Sequence, residues 1–319
     1  MNNRKNAMNE QTKVIYEQIY ENAVMFLRKA IKELIAKPGE YLEKEHAVTA
    51  CLFIQIAIEL GFKAYLIRKK TLPSILLKKH KDQSLDELFK IFEKGDLKTK
   101  GFEELKQMII AEGELFDQKR IFYINNFQRY RNQAVHWHLN LAKGDLYDLK
   151  YDLVYVLVHV IIPVLTEINL DFETPSEFYQ KYLNKEDYKS LIMFKPYVEE
   201  MGRVAANNSQ WVYRCIECGE RTYSVDNEMC YCCNLQFFDA GEYVTCISCN
   251  AHKGVIFDHN NILLNDNIMD GLCLNCDVRP SVFKCPHCET AFPFYDLVEL
   301  DGTCYTHCEM QSILSGSGV

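Results

Sequence analysis

The N-terminal half of the chain carries apolar residues at helical spacing. Between residues 11 and 36 they recur at steps of three and four until a Pro-Gly pair ends the pattern, which predicts an amphipathic helix. A second helix is predicted over about 43–69, where AVTACLFIQIAIELGFKAYLI is apolar on nearly every side. Because helices that are apolar all round lie inside a protein, we expect this one at the centre of a bundle.

Further helical patterns follow before residue 170. One covers 84–95, with Ser84 as the predicted N-cap and Glu87 three residues later, the spacing of a capping box. Another starts near residue 101, in one or two pieces, and the last runs over about 145–168. Since no long stretch alternates at period two, the pattern predicts an antiparallel helical bundle with short loops.

The apolar run LVYVLVHVIIPVLTEINL, residues 153–170, contains His159 and Pro163. Its apolar part is shorter than the roughly 20 residues that span a bilayer. We therefore predict a buried core helix, with His159 as a core histidine, and no membrane association.

The pattern changes after residue 170. Residues 171–204 resemble a short helical connector, AANNSQ at 205–210 indicates a linker, and short β-prone stretches such as WVYRC, EYVTC, GVIFD and SVFKC follow. The predicted fold is an all-α helical bundle joined to a small β-rich region. The predicted regions are 1–170 for the bundle, 171–210 for the helical connector and linker, and 211–314 for the β-rich region.

Thirteen of the fourteen cysteines lie from residue 215 onward, mostly as CxxC pairs, and only Cys51 precedes them. The chain begins MNNRKNAMNEQTK, without the apolar core of a secretion signal. This combination favours metal binding in a reducing compartment over disulfides. We therefore expect a cytoplasmic protein.

The cysteine spacing gives three successive sets of four soft ligands, each made of two short loops. Tetrahedral zinc prefers this arrangement, and sets closed by cysteine are typical of structural sites. The sequence therefore predicts three tandem zinc ribbons and three structural Zn²⁺ ions per chain. The predicted ligands are Cys215, Cys218, Cys230, Cys233, Cys246, Cys249, Cys273, Cys276, Cys285, Cys288, Cys304 and Cys308.

Some ligand assignments stay open at the level of sequence. Pairing of the CxxC loops in chain order is the default, and cross-braced pairing, in which the first loop shares a metal with the third, is the alternative. Cys232 competes with Cys230 or Cys233, and His307 competes with Cys308.

Charge is unevenly distributed along the chain. Residues 205–319 contain five Lys+Arg and fifteen Asp+Glu, a balance of −10, whereas the remainder, with 31 and 29, is +2. A negative region repels phosphate backbones. The C-terminal region is therefore a poor candidate for nonspecific nucleic-acid binding, and we expect it to bind protein partners.

The segment RYRNQAVHWH, residues 129–138, combines the residue types that metal-free RNA cleavage requires. Histidine transfers protons near neutral pH and arginine binds phosphate bidentately, which makes Arg131, Asn132 and His136 candidate catalytic residues. On an ideal helix Arg131 and His136 are about 140° apart. They converge only if the segment begins in a turn or if two chains face each other, so a homodimer is predicted.

This Arg-Asn-xxx-His motif, in a helical region of about 160 residues with an earlier helix that carries Glu59 and Lys63, resembles a HEPN domain. The resemblance implies a metal-independent endoribonuclease whose composite site lies at a homodimer interface. Arg131 would bind the phosphate, Asn132 would orient it, and His136 would be the general acid or base. The tyrosine that some HEPN toxins carry two residues after the histidine is His138 here, which is expected to assist catalysis instead of receiving an inhibitory adenylyl group.

Two interpretations of function remain open. One is an RNA-cleaving enzyme in toxin or antiphage defence, with Glu59 as a further candidate site residue and the zinc region for partner binding or regulation. The other is a HEPN-like dimeric scaffold or zinc-ribbon adaptor without catalysis. Glu59 and Lys63, spaced i,i+4, also fit a simple intrahelical ion pair.

Overall fold

The computed structural model describes residues 8–36, 42–113, 115–136, 143–168, 178, 181–235, 242–262, 268–285 and 289–294. The chain divides into two compact units, residues 1–197 and 198–319. The first is helical and the second contains small antiparallel sheets and the clustered cysteines. The boundary lies inside the region 171–210 that the sequence predicts as a connector.

The helical unit begins with two long antiparallel helices, α1 (Glu10–Ile35) and α2 (Lys44–Lys69). Asn9 caps α1 by accepting a hydrogen bond from the Thr12 backbone N–H at 2.8 Å. Helix α2 packs against α1 and against most of the later helices, and side chains on nearly all its sides are buried. The prediction of a central apolar helix is therefore confirmed.

Three shorter helices follow: α3 (Leu85–Glu93), α4 (Phe102–Glu112) and α5 (Gln118–His136). Ser84 and Glu87 form the predicted capping box at the start of α3. Gly113, with a φ of 74°, ends α4 in the left-handed conformation that glycine adopts without steric cost. The backbone of α5 is helical through to His136.

The last apolar run forms α6 (Lys143–Val156), a π-helical turn (Leu157–Ile161) and α7 (Ile162–Glu167). In the π turn, the Ile162 N–H bonds to the carbonyl of Leu157, five residues earlier. Pro163 lacks the N–H that would continue the α ladder, so the change of hydrogen-bond register directly precedes it.

The run also confirms the prediction of a core helix. Two helices in the described residues, Lys44–Lys69 and Leu146–Glu167, are long and apolar enough to cross a membrane by length and composition alone. In the structure, 67% and 83% of their most apolar 18-residue windows are buried. Both are therefore explained as core helices of the bundle.

Helices α8 (Lys185–Ile192) and α9 (Lys195–Asn208) follow, and the boundary between the two units lies within α9. The prediction of a linker at 205–210 is wrong for its first four residues, which continue α9. Alanine favours helix and Ala205 is fully buried, while the Asn208 side chain donates to the Val204 carbonyl at 2.7 Å.

The second unit contains two antiparallel sheets. The smaller has the order β1 (Val212–Tyr213), β2 (Tyr223–Ser224) and β3 (Met229–Cys230). The larger follows chain order, and its strands are β4 (Glu242–Val244), β5 (Val255–Ile262), β6 (Ile268–Cys273), β7 (Ser281–Lys284) and β8 (Ala291–Phe294).

The larger sheet curls so that β8 lies near β4, and Lys284 Nζ on β7 reaches Glu242 Oε1 on β4 at 2.8 Å. Position 271 in β6 has room only for a glycine. A Cβ there would lie 2.8 Å from the Pro280 carbonyl oxygen and 2.8 Å from Val255 Cγ1, closer than real Cβ contacts. Position 271 therefore permits the close approach of neighbouring strands.

Candidate metal centres and the candidate catalytic helix

The CxxC loops of the second unit share backbone hydrogen bonds between the residues at their ends. In the first loop, the Gly219 N–H donates to the Cys215 carbonyl at 2.9 Å and the Cys215 N–H donates to the Glu220 carbonyl at 2.8 Å. The same two bonds occur in the loops that begin at Cys230, Cys273 and Cys285, and the second bond occurs at Cys246. These bonds give the ends of the loops a common hydrogen-bond pattern.

The residue after the second cysteine has a positive φ in all five loops, from 55° to 80°. Glycine, asparagine and aspartate tolerate this conformation best, and four of the five positions have one of them. The fifth is a glutamate, which adopts the strained conformation because the turn requires it. The five residues are Gly219, Asn234, Asn250, Asp277 and Glu289.

The first four predicted ligands form one buried cluster. The Sγ atoms of Cys215, Cys218, Cys230 and Cys233 lie within 4.8 Å of one another. The separations are 3.6 Å between Cys215 and Cys233 and 3.7 Å between Cys218 and Cys230. A tetrahedral ion with bonds of about 2.3 Å to sulfur needs sulfurs about 3.8 Å apart, so this cluster fits zinc.

The next four ligands form a second cluster, of Cys246, Cys249, Cys273 and Cys276. Its sulfurs are 3.8 Å apart for Cys246 and Cys276 and 3.7 Å apart for Cys249 and Cys273. Unlike the first cluster, it has two half-buried members, Cys249 and Cys276. Both clusters are positioned to bind a metal ion, and both pair the CxxC loops in chain order.

Cys232 stands outside the first cluster although it is completely buried. The structure therefore resolves the competition in favour of Cys230 and Cys233. Hydrogen bonds from neighbouring thiols, that of Cys215 first and that of Cys232 among them, lower the pKa of the Cys218 thiol. Thiolates this close together repel one another, so a shared cation is favoured at their centre.

Polar groups around the clusters hydrogen-bond to individual sulfurs. Thr222 Oγ1 lies 3.1 Å from the sulfur of Cys230. Asn275 Nδ2 donates to the sulfur of Cys249 at 3.5 Å, and Arg221 Nη2 donates to Asn275 Oδ1 at 3.3 Å. Arg221 follows the first CxxC loop, so hydrogen bonds between side chains connect the first ribbon to a sulfur of the second centre.

Of the third predicted set, only Cys285 belongs to the described residues, where it is fully buried. Cys288, Cys304, Cys308 and the competing His307 lie outside them. The two clusters that are described offer four sulfurs each and no histidine or carboxylate. Closed cysteine sets of this kind are structural, since a catalytic zinc keeps one position for water or substrate.

The candidate catalytic residues lie near the end of α5. Arg131 Nη1 donates to Asn132 Oδ1 at 2.8 Å. The Arg131 Nε atom is buried and has no hydrogen-bond partner among the described residues. A buried donor without an acceptor costs about 1–3 kcal/mol, so an acceptor from a substrate or from a second chain would be favoured there.

His136 is the last residue of α5, and the position of its side chain is not described; His138 lies outside the described residues. Because α5 is continuous from Arg131 to His136, the two residues stay about 140° apart around its axis. The segment does not begin in a turn. Of the two routes to a joint site, only the one that uses a second chain remains.

Glu59 and Lys63 form the simple ion pair that their spacing allows. Lys63 Nζ lies 2.7 Å from Glu59 Oε1, and the lysine side chain is only 12% exposed. This pairing occupies Glu59 within α2. His159 is also as predicted, since it is buried and its Nε2 lies 2.8 Å from the hydroxyl of Tyr197. Burial lowers the pKa of His159 to about 3.

The structure also shows a polar group that the sequence analysis missed. Asp152 of α6 is 8% exposed, and burial, reinforced by the nearby Asp148, raises the pKa of its carboxyl to about 7. The Arg129 guanidinium, stacked 5.1 Å from the ring centre of Tyr130, opposes this rise. The sequence does contain a signal for this group, because Asp148 and Asp152 are spaced i,i+4 just before the apolar run 153–170.

In comparisons with known proteins, no family model, no curated protein and no solved structure matches the chain. Its function is therefore inferred from its own residues.

Proposed function

We propose that the chain is a metal-independent endoribonuclease that acts as a homodimer, with a zinc-binding unit for partner binding or regulation. The observation that carries the proposal is the end of α5. There Arg131 and Asn132 form a hydrogen-bonded pair, and the buried Nε–H of Arg131, five residues before His136, has no partner among the described residues. A cation for phosphate and an imidazole for proton transfer are the groups that RNA transphosphorylation needs.

In the proposed reaction, the 2′-oxygen of the RNA attacks the adjacent phosphorus and the bond from phosphorus to the 5′-oxygen breaks. His136 accepts the 2′-hydroxyl proton or donates one to the leaving 5′-oxygen, and His138 is the candidate for the other transfer. Arg131 stabilises the charge on the nonbridging oxygens. The products are a 2′,3′-cyclic phosphate and a 5′-hydroxyl, and the biological role is in toxin or antiphage defence.

We also propose that the helical unit is HEPN-like, that the protein is cytoplasmic and that its metal ions are zinc. Three structural zinc ions are proposed. The third is supported by the backbone of the loop at Cys285, where the N–H of Glu289 donates to the Cys285 carbonyl at 2.9 Å as in the loops of the two described centres.

The first experiment measures cleavage of structured RNA by the purified, zinc-loaded chain in EDTA, with the zinc content checked afterwards. We expect cleavage by the wild type and a loss on the order of a hundredfold or more in His136→Ala and Arg131→Ala. Gln133→Ala is the matched control, because Gln133 is exposed on the same helix and occupies one of the unspecified positions of the motif. Equal cleavage by His136→Ala and the wild type would falsify the proposal.

The second experiment tests whether two chains share the site. If Arg131 of one chain acts with His136 of the other, a mixed dimer of Arg131→Ala and His136→Ala chains contains one intact and one doubly altered site. Random mixing of the two inactive variants then restores about a quarter of wild-type activity, since half of the dimers are mixed and each has one intact site. A site within one chain would give no restoration.

The competing proposal is a zinc-ribbon adaptor without catalysis. It is favoured by two exposed apolar side chains on the CxxC loops, Ile216 at 50% and Ile247 at 49% exposure, in a region that carries a charge of −10 over residues 205–319. On this proposal, Ile216→Glu and Ile247→Glu weaken partner capture and leave zinc content unchanged, while His136→Ala has no phenotype.

A further inference from the structure

A cavity of about 390 Å³ lies in the helical unit where the start of α1, the end of α2 and the start of α3 meet. This is within the range of about 300–1,000 Å³ that is usual for small-molecule sites. One side is apolar and is lined by Ile67, Leu72, Leu85 and Leu88. Arg68 and Thr12 are among the polar residues on the other side.

The charged residues that line this cavity, Arg68 and Lys70, are both basic. Arg68, Lys69 and Lys70 are consecutive at the end of α2. Lys69 pairs with Glu167 and Lys70 pairs with Glu112, whereas Arg68 has no ion-pair partner among the described residues. Arg68 lines the cavity, and no aspartate or glutamate is among the described residues that do so. The cavity therefore has an excess of positive charge that no described carboxylate neutralises.

The start of α1 adds to this polarity. Thr12 is in the first turn of the 26-residue helix and is 9% exposed. Its backbone N–H is bonded to Asn9, but its hydroxyl makes no hydrogen bond with a described residue. A helix N-terminus attracts anions through its dipole. The Thr12 hydroxyl and the Arg68 guanidinium, neither paired with a side chain that the structure describes, thus line the same cavity as four apolar side chains.

We propose that this cavity binds a small organic anion, whose phosphate or carboxylate pairs with Arg68 and whose apolar or aromatic body packs against Ile67, Leu72, Leu85 and Leu88. Arginine binds either anion through two parallel hydrogen bonds. The site is separate from the proposed catalytic residues of α5, and it does not depend on RNA cleavage.

The test uses the full-length, zinc-loaded protein and isothermal titration calorimetry with two sets of probes. One set is the four nucleoside 5′-monophosphates, and the other is indole-3-acetate and octanoate. We expect saturable one-to-one binding in at least one set, which identifies the head group. Inorganic phosphate alone is expected to bind much more weakly, because it lacks the apolar body.

Variants then place the ligand. Arg68→Gln is expected to weaken binding about tenfold or more, since it removes a charge-assisted hydrogen bond. Lys69→Gln is the matched control, because Lys69 already pairs with Glu167 and does not line the cavity, and its affinity should stay at the wild-type value. Leu85→Trp adds bulk at the apolar wall and should abolish binding. Circular dichroism checks that each variant is folded.

Two outcomes would overturn the proposal. One is the absence of saturable binding in both probe sets, or binding that Arg68→Gln and Leu85→Trp leave unchanged. The other concerns the chain itself, because Met8 lines the cavity and residues 1–7 precede it. If only a variant without residues 1–7 binds the probes, the N-terminal segment is the natural occupant and the cavity is not a ligand site.

Discussion

The two units of this chain are stabilised in different ways. In the helical unit, long helices bury large side chains, and Ile54, Phe62 and Tyr65 of α2 are at most 1% exposed. In the second unit the strands of the smaller sheet are two residues each, below the length at which strands are stable by themselves. The first sulfur cluster lies beside these short strands, and the second lies at the ends of β4 and β6 in the larger sheet. Burial therefore stabilises the first unit, and we expect metal binding at the clusters to supply much of the stability of the second.

Removal of the metal is the most severe test of this comparison. A strong chelator under reducing conditions should unfold residues 198–319, because structural zinc contributes on the order of 10 kcal/mol to small domains. Helical circular dichroism should largely persist, and limited proteolysis should cut only in the second unit. If the helical signal is lost at the same chelator concentration, the units do not differ in the way proposed.

A pair of adjacent cysteines tests which sulfurs hold the first metal. Cys233→Ser should lower the metal content by one ion per chain and destabilise the second unit, because it removes one of four ligands. Cys232→Ser should retain the full metal content, since Cys232 is not in the cluster. Elemental analysis and thermal melts measure both effects. If Cys232→Ser loses metal and Cys233→Ser does not, the ligand is Cys232 and not Cys233.

The two centres should also release metal at different rates. Cys249 and Cys276 are half-buried, whereas every ligand of the first centre is buried, so a chelator dye should remove the second ion first. Asn275→Ala removes the hydrogen bond to the Cys249 sulfur and should weaken the second centre about tenfold. The first centre is the internal control, and equal acceleration at both centres would contradict this account.

Asp152 is a buried carboxyl group in the helical unit, and the pH dependence of stability tests its effect. Folding raises the pKa of Asp152 to about 7, so the folded chain holds this proton more tightly than the unfolded chain. The free energy of unfolding therefore falls as pH rises from about 4 to about 7. Asp152→Asn should stabilise the protein at pH 8 by on the order of 1–2 kcal/mol and should not stabilise it near pH 4.

Denaturant melts at both pH values measure this difference. Asp148→Asn is the graded control, because it removes the second cause of the raised pKa while it leaves the Asp152 carboxyl in place. Its effect should have the same sign and be smaller. A pH-independent effect of Asp152→Asn would show that the carboxyl is not protonated in the folded state.

Much of the helical unit followed from the sequence because local patterns decide it. The apolar stripe predicted α1 within a residue at each end, and Ser84 with Glu87 predicted the capping box of α3. The extension of α9 to Asn208 was missed because AANNSQ has the composition of a loop. Burial of Ala205 decides the outcome, and burial depends on tertiary contacts.

In the second unit, the spacing of the cysteines identified the loops but left their pairing open. Which CxxC loops share a metal depends on long-range folding, and the structure shows pairing in chain order. The five-stranded sheet β4–β8 was not predicted as one sheet, because its strands are separated by metal loops. For the candidate catalytic residues, the continuity of α5 could not be read from the sequence, and it excludes a turn between Arg131 and His136.

Pairing of the cysteine loops in chain order has a consequence for biosynthesis. The first centre is complete within residues 215–233 and the second within 246–276, so each ion closes only a short loop, whose entropic cost is small. A nascent chain could thus bind its first ion as soon as residue 233 emerges from the ribosome, before the cysteines of the second centre have emerged. A cross-braced arrangement would have left several thiols exposed to oxidation until synthesis had passed both centres.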